Sequence, residues 1–67
     1  MPIITARIVK GRSCEQKAAL IRELAEGTMR ALDVPEASIR VILSEVDAAH
    51  WGVGTKSKAS IERGNKE

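Results

Sequence analysis

The spacing of apolar positions changes along this chain, and each change marks an element. Residues 3–9, IITARIV, are apolar on both alternating sets: Ile4, Ala6 and Ile8 on one side, Ile3 and Val9 on the other. A strand of that kind is usually covered on both faces. Lys10-Gly11-Arg12 breaks the run. Residues 13–16, SCEQ, have the S-x-x-Q form of a capping box, in which Ser and Gln side chains satisfy free N–H groups. Leu20, Ile21, Leu24, Ala25, Thr28 and Leu32 then recur at helical spacing, and Asp33-Val34-Pro35 ends the helix. Residues 39–46, IRVILSEV, form a second strand, with Ile39, Val41 and Leu43 alternating against Arg40, Ile42 and Ser44. Residues 51–54, WGVG, predict a short turn or hairpin. The polar tail from Lys56 is expected to fray, residues 60–67 above all.

Strand, helix and strand in this span make an α/β chain built on one β-α-β unit, with parallel strands, a right-handed crossover and a short C-terminal hairpin segment. One helix covers only one face of a two-stranded sheet. The other apolar face and both strand edges stay open, so several copies must pack together.

Composition sharpens that expectation. At 67 residues the chain is a single domain, 1–67, and buries only about 60% of its unfolded surface. Chains this small need a disulfide framework, a metal or association. One Cys and one His exclude the first two within a single chain. No 18-residue apolar run and no signal peptide is present, which predicts a soluble, cytoplasmic protein without a membrane partner. Eleven Lys/Arg against nine Asp/Glu is a mild positive balance, and one aromatic residue gives no stacking platform for a nucleic-acid strand. A small anionic substrate fits that charge at least as well.

Pro2 is the odd residue. It lacks an N–H and is tolerated as a strand opener. Once Met1 is removed, as a small second residue normally permits, its nitrogen is instead a secondary amine.

Pro2, GRS (residues 11–13), EQK (15–17), LIRE (20–23), SIRVI (38–42) and HWGVG (50–54) stand together in the order and spacing of a known family. From Pro2 to about Gly54 the chain resembles, without gaps, the 4-oxalocrotonate tautomerases of the tautomerase superfamily. The resemblance implies a cofactor-independent isomerase of unsaturated 2-oxo or 2-hydroxy diacids such as 2-hydroxymuconate, assembled as a hexamer with shared sites. It implies that Pro2 is the general base and then the acid. It further implies that Arg12 binds the distal carboxylate, and that Arg40 binds the carboxylate and oxygen at the reacting end. Trp51 falls where the family usually has Phe and lines an apolar wall; the larger ring should reshape the pocket. Thr55 falls where many relatives have Gly, which leaves the hairpin geometry open.

The residue types suit that chemistry. A free α-amino group starts near ~8, and an apolar pocket with nearby guanidinium groups pushes it down, toward the value a base needs at neutral pH. A preorganised Arg stabilises charge on a dienolate oxygen, and Arg–carboxylate pairing is bidentate. Arg7 reads as a structural or rim residue, Cys14 as an exposed thiol and His50 as a turn residue. Two other functions fit the chain. One is a 3-haloacrylate dehalogenase or hydratase, for which Glu45 is the nearby carboxylate. The other is a non-catalytic oligomeric module that binds an anionic partner. All the family's key positions are present, so one kind of chain suffices for a homo-oligomer. Pro2 and Arg12 are separated by roughly 30 Å of extended chain. One small diacid cannot span that, so Arg12 is expected to reach the Pro2 of a neighbouring subunit.

Overall fold

In the computed structural model, which describes residues 1–64, β1 (Ile3–Val9), α1 (Cys14–Leu32) and β2 (Arg40–Val46) form the expected parallel β-α-β unit. β3 (Gly52–Val53), β4 (Lys56–Ser57) and α2 (Lys58–Gly64) follow as a C-terminal arm. Turns of 3-10 helix at Glu36–Ser38 and Ala48–His50 lead into β2 and the arm.

The capping box forms as read. Ser13 Oγ accepts from the Gln16 N–H at 3.1 Å, and Gln16 Oε1 accepts from the Ser13 N–H at 3.0 Å. At the other end Asp33 takes the left-handed conformation and donates its N–H to the Met29 carbonyl at 2.9 Å, closing the helix before Pro35. β2 starts one residue later than expected. Ile39 instead closes the preceding turn through its N–H to Glu36, and it is the one buried apolar residue among those described, at 8% exposure.

The strands pair in register from Ile3 opposite Arg40 to Val9 opposite Val46. The set Ile4, Ala6, Ile8, Val41 and Leu43 is half-buried, on the side where α1 packs. Lys17 on α1 pairs with Glu45 on β2 at 3.2 Å, which ties helix to sheet. The alternate set, with Ile3, Thr5, Arg7, Arg40, Ile42 and Ser44, is exposed. Of the helical stripe, Leu20, Leu24, Ala25 and Thr28 are half-buried, whereas Ile21 and Leu32 lie open.

The tail does not fray where expected. From Lys56 it forms β4 and then α2, so residues 60–64 of the expected frayed segment are helical; residues 65–67 lie outside the described residues. Local bonds account for this. Ser57 Oγ accepts from the Ser60 N–H at 3.1 Å, a helix N-cap, and the Lys58 N–H donates to the Trp51 carbonyl at 2.7 Å. The hairpin turns on Gly54, at φ 64°, while Thr55 keeps negative φ. A two-residue turn that needs positive φ only at its first position accepts Thr at the second, which answers the question of Thr55.

The chain is 50 Å long and 14 Å thin. Its radius of gyration of 15.6 Å exceeds the roughly 11 Å of a compact domain this size. Its surface of 5179 Å² likewise exceeds the roughly 4,200 Å² of a folded monomer of this mass. Apolar surface left open on sheet, helix and arm is surface that association would cover.

Candidate active site

The register decides which proposed site residues meet. Parallel pairing puts the amino ends of both strands together, and the Arg40 N–H donates to the Pro2 carbonyl at 3.1 Å. Pro2 and Arg40 are therefore neighbours at one end of the sheet. The Arg40 guanidinium folds back on the turn before its strand: Nη1 donates to the carbonyls of Ala37 at 2.8 Å and Ile39 at 3.1 Å. That holds the side chain's direction and leaves Nε and Nη2 free to grip an oxyanion or a carboxylate.

Pro2 is half-buried and lines a shallow depression of about 520 Å³ between β1 and α1, with Ile4, Leu24, Gly27 and Thr28. Its surroundings are mostly apolar, as an amine that must be neutral to work requires. Glu23 also lines this depression and stands out as a carboxylate there that sequence reasoning missed. The signal lay in the helical spacing, since Glu23 directly precedes Leu24 of the apolar stripe. Met1 is 80% exposed and precedes Pro2, whose nitrogen is an amide while Met1 is attached.

Arg12 lies at the opposite end of the sheet. Gly11, at φ 128°, turns the chain out of β1 in a conformation that L side chains rarely adopt, and Arg12 follows it into the cap of α1. Arg12 is exposed and makes no hydrogen bond or ion pair among the described residues. With Ile8, Gln16, Lys17 and Leu20 it lines a second cavity of about 230 Å³. Arg12 brings an unpaired guanidinium to that cavity, suited to a carboxylate, whereas Lys17 is paired with Glu45.

Trp51 belongs to the same end. The Lys10 N–H donates to the Val46 carbonyl at 2.9 Å and Lys10 Nζ pairs with Asp47 at 3.3 Å, which anchors the start of the arm beside the end of β1. Trp51, half-buried, follows within one turn. Within one chain, then, Pro2 and Arg40 are apart from Arg12 and Trp51 by the length of the sheet, about 23 Å for seven residues. Glu45, the carboxylate considered for water activation, lies opposite Ile8 and is engaged by Lys17, away from Pro2.

Arg7 is exposed on the open sheet face, Cys14 is an exposed free thiol, and His50 sits in the turn before Trp51. Among the described residues no helix is long and apolar enough to cross a membrane.

A parallel β-α-β chain with a proline beside an arginine at the amino ends of its strands has close counterparts. The sequence profile of the tautomerase enzyme family matches residues 2–61, and the chain belongs to that family. It is 48% identical to a 2-hydroxymuconate tautomerase of Stutzerimonas stutzeri over 63 residues, 94% of this chain and all of that one. It is similar in structure to a heterohexamer 4-oxalocrotonate tautomerase from Chloroflexus aurantiacus J-10-fl. There the TM-score is 0.87 at 43% identity, covering 91% of this chain and 98% of the other. A 4-oxalocrotonate tautomerase isozyme from Methylibium petroleiphilum superposes with a TM-score of 0.91 at 28% identity, over 94% and 98% of the two chains. The protein is a tautomerase by these relationships.

Proposed function

We propose that this tautomerase interconverts the enol and keto forms of an unsaturated 2-oxo acid or diacid of the 2-hydroxymuconate type, in sites shared between subunits of a cytoplasmic homohexamer. The observation that carries the reading is the strand register. It sets Pro2 against Arg40 at one end of the sheet and leaves Arg12 and Trp51 at the other. One chain therefore offers two half-sites facing opposite ways, and a neighbour must complete each.

With Met1 removed, the Pro2 nitrogen is a neutral amine in an apolar setting. It takes a proton from one position of the substrate's conjugated skeleton, which leaves a dienolate. The resulting ammonium returns that proton at another position, so proton and charge balance over the cycle. The free Nε and Nη2 donors of Arg40 stabilise the dienolate oxygen and the adjacent carboxylate. Arg12 of the neighbouring subunit binds the distal carboxylate and draws electron density toward it, while Trp51 keeps water out. No step calls for a cofactor.

The pairing of Glu45 with Lys17 at 3.2 Å disfavours the hydratase alternative, because the carboxylate needed to activate water is already engaged by a cation. Blocking the amine tests the reading. Protein whose intact mass lacks Met1 should ketonise 2-hydroxymuconate. A version extended by one residue before Pro2 should lose roughly 10²–10⁴-fold in kcat/KM. Full activity in the extended protein rules out the amine as base.

A further inference from the structure

Of the side chains that line the depression around Pro2, Glu23 alone carries a charge. Ile4, Leu24 and Leu32 are apolar, and Thr28 spends its hydroxyl on the Leu24 carbonyl at 2.8 Å. A space of about 520 Å³ is roughly 10 Å across, close to one Debye length at ~0.1 M salt. Glu23 is exposed, so water weakens its field at Pro2 without abolishing it. The other charges at this end come from different elements. Arg40 enters from β2, its N–H on the Pro2 carbonyl and its guanidinium tied to Ala37 and Ile39. Asp33 at the end of α1 and Glu36 in the turn before β2 are exposed there, and neither lines the depression.

With Met1 removed, Pro2 alternates between a neutral amine and an ammonium as the proton passes through it. Guanidinium groups oppose the ammonium and a carboxylate favours it. We propose that Glu23 is a positioning residue for the transferred proton: its carboxylate stabilises the Pro2 ammonium formed between the two half-steps and offsets the guanidinium groups that oppose it. This rests on the reading of Pro2 as the base.

Glu23→Gln keeps the side chain's shape and removes its charge. Loss of a carboxylate makes the amine harder to protonate, so the acid limb of the kcat/KM profile should move to lower pH. The expected shift is about half a pH unit at low salt, shrinking at about 0.5 M salt as screening increases. Glu26→Gln makes the same charge change on an exposed side chain of α1 outside the depression, and should leave the limb in place. A limb that stays put in Glu23→Gln, or moves equally in Glu26→Gln, overturns the proposal. NMR of protein labelled at its proline nitrogens reads the amine directly, since Pro35, the only other proline, holds an amide. Its titration midpoint should fall with Glu23→Gln, and an unmoved midpoint overturns the proposal. A midpoint that falls while the activity limb stays would leave Glu23 acting on Pro2 and fault Pro2 as the base.

Discussion

The β-α-β body and the C-terminal arm are held by different kinds of force, although they belong to one short chain. The body has a seven-residue parallel ladder, a helix capped at both ends and an ion pair joining helix to sheet. The arm has two strands of two residues each and a seven-residue helix, fixed mainly by local hydrogen bonds. It extends a molecule only 14 Å thin in its shortest dimension to 50 Å. Val53 and Ile61 are exposed on it at 53% and 42%. Hairpins this short are not stable alone in water. The lesson is that the body is held by bonds between its elements, whereas the arm is held by bonds within itself.

The strongest way to break that comparison is to separate the two ends of the sheet genetically. Arg12→Ala and Arg40→Ala proteins should each lose about 10²-fold or more in kcat/KM, as expected when an oxyanion or carboxylate donor is removed. Mixed, unfolded and refolded together, they should regain activity, because some sites then draw an intact Arg12 and an intact Arg40 from different chains. Absence of any recovery would place the whole site within one subunit.

Ile42→Asp puts a charge on the open sheet face, where Ile42 is now 52% exposed. In an isolated chain that change costs little; buried between copies it leaves an unpaired charge. Sedimentation should show the assembly falling apart, with activity lost in parallel. A variant that keeps its native mass in solution would mean this face is not an interface.

Smaller effects separate the two regions by stability. Ser13→Ala removes one of the two bonds of the α1 capping box, the Gln16 N–H to Ser13 Oγ, and should cost about 1 kcal/mol, read as a lower thermal midpoint. Lys58→Ala breaks the exposed Lys58–Glu62 pair at 3.5 Å on α2 and should change stability by less than about 0.5 kcal/mol. A larger loss at Lys58 than at Ser13 would invert the comparison between body and arm.

The elements of the body were legible because their causes are local. A β-branched run, a capping box, a helical stripe and a terminating Asp-Val-Pro each act over a few residues, and β1, α1 and β2 appear within a residue of where those signals put them. The arm was less legible. Its helix has no apolar stripe to announce it, and the bond from Lys58 to Trp51 spans the hairpin. The polar composition after Lys56 therefore reads as a fraying tail. The Ser57-to-Ser60 cap was present in the sequence but too weak a signal to override composition.

The candidate site residues were named by the family resemblance, and their proximity was not legible. Pro2, Arg12, Arg40 and Trp51 could be singled out along the chain, and strand length alone argued that Pro2 and Arg12 cannot share one subunit's site. The sequence by itself determined the elements, their parallel order and the residue types able to move a proton and hold a carboxylate, because those depend on local propensity and side-chain chemistry. Only the tertiary structure decided that Arg40 stands beside Pro2, that Trp51 leaves the sheet with Arg12, and that Glu45 is already engaged. These follow from the register of one strand on another and from ion pairs across elements, and such long-range choices are made by packing.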